Sequence, residues 1–160
     1  MIYTFRPLEN TATAFFHELF HSALFKPPGE PAIPFEVIRK PELRRYYQYW
    51  GQEYDLGFII LRDGEEVGGI WSRRFTEEEP GFGFISPEVS ELGLAIKKSH
   101  RGQGIGNHLM NHFLDALRQR GDEQVSLSVN GDNHAAQWYR RMGFRTVAFD
   151  GKNMKMVLDL

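Results

Sequence analysis

One segment near the middle of the chain constrains the fold more than any other. It opens with an apolar run, Leu92 to Ile96, passes through Arg101-Gly102-Gln103-Gly104-Ile105-Gly106, and ends in an amphipathic stretch from Ile105 to Arg120. The apolar run is typical of a strand, and apolar residues recurring every four positions are typical of a helix. Alternating glycines at this joint leave backbone N–H groups bare at a helix N-terminus. The segment therefore predicts a strand, a turn and a helix that together form an anion site suited to a pyrophosphate.

Two other phosphate-binding motifs do not fit this segment. A dinucleotide fingerprint needs Gly-x-Gly-x-x-Gly near the start of a βαβ unit, whereas Gly102, Gly104 and Gly106 alternate and lie late in the chain. A Walker loop needs Gly-Lys-Ser/Thr, which is absent here. The anion site therefore indicates a phosphate-bearing cofactor of another kind.

The length and composition predict one folded domain that spans residues 1–160. The chain has 160 residues, of which 41% are hydrophobic and 14% aromatic, enough for a substantial core. Its patterns predict, in order, a strand Ile2–Phe5, a helix Thr11–Phe25, a helix Pro41–Trp50, a hairpin of strands Leu56–Leu61 and Val67–Arg74, a strand Leu92–Ile96, a helix Ile105–Arg120 capped by Gly121, a strand Val125–Val129, a helix Asn133–Met142, and strands Arg145–Phe149 and Met154–Leu158. This order favours an α+β or mixed α/β fold around one central sheet.

The charge and the cysteine content exclude several classes of function. A net charge of −2 gives no electrostatic case for binding nucleic acid. The chain has no cysteine, which excludes disulfides and thiolate catalysis and fits a reducing compartment. No leader pattern and no membrane-length apolar run is present, so we expect a cytoplasmic protein that does not associate with a membrane.

A second motif lies downstream of the glycine segment. Asn133 precedes a helical stretch that carries Ala135 and Tyr139 and ends in Gly143-Phe144. Together with Arg101-x-x-Gly104-x-Gly106, this motif resembles those of the GNAT superfamily of N-acetyltransferases, and both motifs stand in the family's order with one strand between them. The order of elements over nearly the whole chain is similar as well. The resemblance implies a mixed sheet, mostly antiparallel, splayed at its middle and flanked by helices.

The resemblance also implies that acetyl-CoA is the co-substrate and that no metal is needed. Acetyl-CoA would lie in a V-shaped gap between the strands Leu92–Ile96 and Val125–Val129. The residues that the resemblance assigns to its binding are Leu94, Ala95 and Ile96 for the pantetheine arm, Gly102, Gln103, Gly104, Ile105, Gly106 and Asn107 for the pyrophosphate, Arg101 for added charge, and Asn133 and Tyr139 near the pantetheine and the thiol. Asn133 also suits an ordinary helix cap. It stands six residues before Tyr139, where many members have seven.

The implied reaction is the attack of an amine on the thioester, which requires proton transfers. Tyr139 resembles the family tyrosine that protonates the departing thiolate, although packing alone could also explain this aromatic side chain. Glu91 resembles an acid found at this strand in other members, and it is the candidate base. The alternatives to a dedicated base are that Glu91 is a solvent-facing strand residue, that a chain of waters removes the proton, or that the amine arrives neutral. The acceptor is an unidentified primary amine, and the resemblance leaves a homodimer open.

Two further hypotheses compete with this one. A non-catalytic module that binds acyl-CoA would have the same fold. His17-Glu18-Leu19-Phe20-His21 matches the zinc-peptidase pattern His-Glu-x-x-His, but no third ligand follows at a known spacing.

The aromatic residues Tyr46, Tyr47, Tyr49 and Trp50 lie where the family covers its acceptor site, so they are candidates for a substrate pocket or for the core.

Overall fold

The computed structural model describes residues 1–160 and contains seven strands around which four α-helices are arranged. In chain order the elements are β1 Tyr3–Pro7, α1 Ala14–Ser22, α2 Pro41–Arg44, β2 Leu56–Arg62, β3 Glu65–Arg74, β4 Ser90–Ile96, α3 Ile105–Arg120, β5 Gln124–Asn130, α4 Ala135–Met142, β6 Arg145–Phe149 and β7 Asn153–Asp159. Two short 3-10 helices, Phe35–Arg39 and Lys98–His100, were not predicted from the sequence. No helix combines the length and the apolar character that are needed to cross a bilayer.

The strands form one sheet in the order β1-β2-β3-β4-β5-β7-β6. Every neighbouring pair is antiparallel except β4 and β5, which run parallel. That parallel pair is aligned only where Ser90 meets Val125 and Glu91 meets Ser126. The two strands are therefore joined at their N-terminal ends and part beyond them, which confirms the expected mixed, mostly antiparallel sheet.

Each face of the sheet buries its own hydrophobic cluster. Cluster A, on the face covered by α3 and α4, includes Leu92, Leu109, Phe113, Leu127 and Tyr139. Cluster B, on the face covered by α1 and the segment after α2, includes Phe16, Phe20, Tyr46, Tyr47, Trp71 and Ala95. Because successive strand residues point to opposite faces, neighbours on β4 contribute to different clusters.

The helix α3 agrees with its predicted bounds, and three other helices are shorter than predicted. Gly121 ends α3 in a left-handed conformation, as expected of a C-cap. The helix α2 ends at Arg44 instead of Trp50. A physical reason is that the carbonyl oxygens of Arg45 and Gln48 accept hydrogen bonds from the side chain of Arg73.

The helices α1 and α4 both begin later than predicted, and a side chain just before each one accepts an N–H of its first turn. The hydroxyl of Thr13 accepts the N–H of Phe16, so α1 starts at Ala14. Oδ1 of Asn133 accepts the N–H of Ala135, so α4 starts at Ala135. Asn133 therefore accepts an N–H at the start of α4, which agrees with the capping interpretation.

Candidate active site

The candidate site is the gap that opens where β4 and β5 part. Beyond Glu91 and Ser126 no residue of one strand is aligned with a residue of the other. On β4 the gap is bordered by Leu94, Ala95 and Ile96, whose side chains alternate between the two faces. Backbone groups on this border lack a partner strand, so an extended ligand could pair with them as a strand would.

The glycine segment lies just beyond the end of β4 and is shaped as an anion site. Gly102 and Gly104 have φ angles of 75° and 80°, and no atom lies within 4 Å of where a Cβ would stand on either. Gly104 is the N-cap of α3, so the N–H groups of its first residues, Ile105, Gly106 and Asn107, have no acceptor in the preceding turn. Open space, bare N–H groups and the positive end of the helix dipole together suit a pyrophosphate.

Two side chains of this segment hold the loop in place. Nε of Arg101 donates to the carbonyl of Ile96 at 3.0 Å, and an Nη of Arg101 reaches the carbonyl of Ser22 at 3.3 Å. Oε1 of Gln103 accepts from Arg62 at 2.5 Å. Arg101 therefore ties the loop to β4 and α1, and its guanidinium is committed to backbone carbonyls rather than free in solvent.

The helix α4 brings the downstream motif to the first turn of α3. Nε1 of Trp138 donates to Oδ1 of Asn107 at 2.7 Å, which joins α4 to the first turn of α3. With Oδ1 of Asn133 committed to the cap, the amide nitrogen of that residue is the group left for a ligand.

Tyr139 lies in cluster A with 8% of its surface exposed, and its ring is 5.7 Å from that of Phe144. Burial raises the pKa of its phenol to about 12. The phenol therefore keeps its proton at neutral pH, and it lies on the face of the sheet opposite Glu91.

Glu91 occupies the point from which the two strands diverge. It is 2% exposed, and its Oε2 accepts a hydrogen bond from the hydroxyl of Tyr46, whereas its Oε1 has no partner. Burial raises its pKa to about 7, against the opposing effects of Tyr46, the Gly83 backbone and Lys155. The interpretation of Glu91 as a solvent-facing strand residue is therefore wrong.

The contact between Tyr46 and Glu91 was not predicted. Tyr46 stood among the candidates for a substrate pocket, but nothing in the sequence connects it with a carboxylate 45 residues away. The segment Pro80–Phe84 closes over the same pair, since a Cβ at Gly81 would overlap Oε1 of Glu91 and would lie 2.7 Å from the Tyr46 hydroxyl. A glycine at position 81 could have signalled this close approach.

The residues of the zinc-peptidase pattern do not form part of a larger ligand set. Nε2 of His21 lies 2.8 Å from the carbonyl of Ile33, and the ring of His17 packs against Tyr47. No group of three or more His, Cys, Asp or Glu side chains is arranged to hold a metal. The structure thus supplies no third ligand for this pair.

Comparison with known proteins agrees with this geometry. Residues 15–144 match the model of the Acetyltransferase (GNAT) family. N-alpha-acetyltransferase 30 of Schizosaccharomyces pombe is 28% identical over 67% of this chain and 69% of its own length. A mycothiol acetyltransferase of Saccharomonospora viridis is 37% identical over 59% of this chain, but the match spans only 31% of that longer protein.

Solved structures show the same fold at low sequence identity. The PaiA N-acetyltransferase of Thermoplasma acidophilum, solved in complex with coenzyme A, superposes with a TM-score of 0.69 at 16% identity. The superposition covers 100% of this chain and 100% of that chain. The splayed sheet, the glycine segment that opens α3 and the family match over residues 15–144 lead to one conclusion. This chain belongs to the GNAT family of acetyltransferases.

Proposed function

We propose that the protein transfers the acetyl group of acetyl-CoA to a primary amine in the gap between β4 and β5. The observation that carries the proposal is the state of Glu91, a buried carboxylate with one unpartnered oxygen where the two strands diverge. A carboxyl group with a pKa of about 7 is suited to accept a proton near neutral pH.

The residues around the gap fit acetyl-CoA. The bare N–H groups of Gly102 to Asn107 would hold the pyrophosphate, and the unpaired backbone of Leu94, Ala95 and Ile96 would pair with the pantetheine arm. Arg101 would hold this loop in place, and the amide nitrogen of Asn133 would donate to the pantetheine. When bound, acetyl-CoA supplies an acyl carbon that is activated as a thioester.

Two side chains would move the protons of the reaction. The amine nitrogen forms a bond to the acyl carbon, and the carbon–sulfur bond breaks. Glu91 takes the proton that the attacking nitrogen loses, and Tyr139 gives a proton to the departing thiolate. Because Glu91 and Tyr139 lie on opposite faces of the sheet, we place the amine on the face of cluster B and the departing thiol on the face of cluster A.

The relatives agree on acetyl transfer but not on its acceptor. Their names refer to N-alpha acetylation in one case and to mycothiol in the other. Primary amines as a class are therefore the proposal for this chain. The cytoplasmic location and the homodimer stay predictions.

The test is the release of thiol from acetyl-CoA in the presence of peptide N-termini, a polyamine and small primary amines. We expect Glu91→Gln to lower kcat/KM about 100-fold and to abolish the limb of the pH profile near pH 7. Tyr139→Phe should lower kcat about 10- to 100-fold, because the thiolate must then leave without a proton donor. Glu88→Gln, at an exposed position just before β4, is the control and should change neither kcat/KM nor kcat.

Two results would contradict the proposal. Binding of coenzyme A without turnover of any amine would favour a non-catalytic acyl-CoA module. An unchanged pH profile in Glu91→Gln would remove Glu91 from the role of base.

A further inference from the structure

Tyr46 stands between the candidate base and the loop that covers it. Its hydroxyl donates to Oε2 of Glu91 and accepts the N–H of Phe82 at 2.7 Å, so both its donor and an acceptor site are used. The side chain is buried, and its ring packs edge-on against Phe75 at 4.9 Å. A phenol held on three sides in this way has little freedom to leave the carboxylate.

A buried ion pair fixes the backbone that carries Tyr46. The guanidinium of Arg73 binds both oxygens of Asp55, at 2.9 and 2.8 Å, and both side chains are almost fully buried. A nitrogen of the same group donates to the carbonyls of Arg45 at 2.9 Å and Gln48 at 2.7 Å, on either side of Tyr46. Arg73 on β3 is aligned with Glu91 on β4, so the ion pair and the candidate base lie side by side on the sheet.

We propose that Tyr46 is a positioning residue that orients Glu91 and leaves Oε1 as its proton-accepting atom. This inference rests on the proposed role of Glu91 as the base. Tyr46 occupies Oε2, so Oε1 is the oxygen without a side-chain partner, and the only group of the covering loop that lowers the carboxyl pKa is the backbone of Gly83. Tyr46 therefore determines which oxygen can take a proton from the amine.

Among the side chains around Glu91, Tyr46 is the one that donates a hydrogen bond to its carboxylate. The charge of Arg73 is matched by Asp55, and Lys155 on β7 lowers the pKa of Glu91 but donates to the carbonyl of Phe84. Ser126 on β5 is neutral. Burial and the nearby carboxylate raise the pKa of Tyr46 well above its usual value, so the phenol stays protonated and donates. A donor to the carboxylate favours the ionised form, so Tyr46 lowers the pKa of Glu91.

The test compares two phenols on the same segment. Tyr46→Phe removes the hydroxyl that touches Glu91, whereas Tyr47→Phe removes a buried hydroxyl that donates to the carbonyl of Ile38. The titration of the Glu91 carboxyl is followed by 13C NMR, with its signal assigned by difference against Glu91→Gln. The pH dependence of kcat/KM is measured on the same samples.

We expect Tyr46→Phe to raise the NMR pKa of Glu91 by about one unit, because a charge-assisted hydrogen bond is lost. The acid limb of kcat/KM should shift by the same amount, so activity at pH 6 falls about tenfold while activity at pH 9 changes little. Tyr47→Phe, inside cluster B, should leave the NMR pKa of Glu91 unchanged. Replacing Tyr46 with 3-fluorotyrosine keeps the ring and the hydroxyl but strengthens the donor, so it should lower the pKa of Glu91.

The outcomes separate this inference from the proposed function. If the NMR pKa of Glu91 is the same with phenylalanine at position 46, the inference is overturned. Should Tyr46→Phe not fold, a 3-fluorotyrosine protein with an unchanged or raised pKa overturns it equally. A raised NMR pKa without a shift in the activity profile supports the control of Glu91 by Tyr46 and instead refutes Glu91 as the base.

Discussion

At the scale of single residues, the features that suit Glu91 for its proposed role as base oppose the stability of the fold. Burial raises its pKa from 4.5 to about 7, because the folded protein disfavours the charged form. Between those two pH values the folded state binds more protons than the unfolded chain does. The free energy of unfolding contributed by Glu91 therefore falls as the pH rises through this window, and the cost is complete above pH 7.

Glu91→Gln should consequently stabilise the protein at high pH. The raised pKa corresponds to a loss of about 3 kcal/mol in the free energy of unfolding at high pH. The neutral amide of glutamine does not cause this loss. We expect the variant to exceed the wild type in free energy of unfolding at pH 8 by up to that amount, and to show little advantage at pH 5. Urea unfolding at both pH values measures the difference, with Glu88→Gln as the exposed control. An equal effect at pH 5 and pH 8 would contradict the burial of a charged carboxylate.

The same residue shows what sequence could and could not predict about the site. Glu91 and Tyr139 became candidates through their resemblance to family positions, on a strand and a helix that have strong local patterns. The partner of Glu91 was missed, because Tyr46 lies 45 residues away and reaches it only through packing. Likewise, the pattern that predicted a helix from Pro41 to Trp50 could not indicate that Arg73 would take the carbonyl groups of that segment.

At the scale of elements, α3 has a left-handed glycine at each end, and only one of them faces the proposed ligand. Gly104 begins the helix at φ 80° and Gly121 ends it at φ 91°, and each has open space where a Cβ would stand. These boundaries were predictable, because a glycine at the end of an amphipathic run gives a local signal. The two positions form a matched pair that separates backbone strain from ligand binding.

We predict that Gly104→Ala and Gly121→Ala each lower the free energy of unfolding by about 1 kcal/mol, because alanine is strained at positive φ. Only Gly104→Ala should also raise the KM for acetyl-CoA, about tenfold, as its backbone moves away from the pyrophosphate. Thermal unfolding and initial rates measure the two effects. If both variants changed the KM alike, the assignment of the anion site to the N-terminus of α3 would be wrong.

The ion pair between Asp55 and Arg73 is a second element-scale feature, since it joins β3 to the segments before β2 and after α2. Asp55→Asn keeps the shape of the side chain but leaves the buried guanidinium without its counter-charge. We expect a loss of about 3 kcal/mol in the free energy of unfolding, measured by urea denaturation. Arg6→Gln, which breaks the exposed pair with Glu66, should cost no more than about 0.5 kcal/mol. Comparable losses in both variants would show that burial does not govern the strength of these pairs.

At the scale of the whole molecule, the sheet consists of two parts that meet at a narrow junction. The strands β1 to β4 form one part, β5 to β7 form the other, and only two aligned residue pairs join them. A mixed, mostly antiparallel sheet that is splayed at its middle followed from the family resemblance. The extent of the splay did not, because the register of two distant strands depends on how both cores pack.

A ligand that lies in the gap contacts both parts of the sheet, so it should stabilise the whole fold and not one element alone. At a coenzyme A concentration of about 100 times its Kd, the stabilisation should be about 2.7 kcal/mol, which corresponds to a rise in Tm of about 5 to 10 °C for a chain of this size. Scanning calorimetry at increasing coenzyme A concentration measures it, and Gly104→Ala at the same concentrations should show a smaller rise. Because both sheet parts would be held by one ligand, the transition should stay single and shift as a unit. A transition that splits, with only one part stabilised, would show that coenzyme A binds to one side of the gap without bridging it.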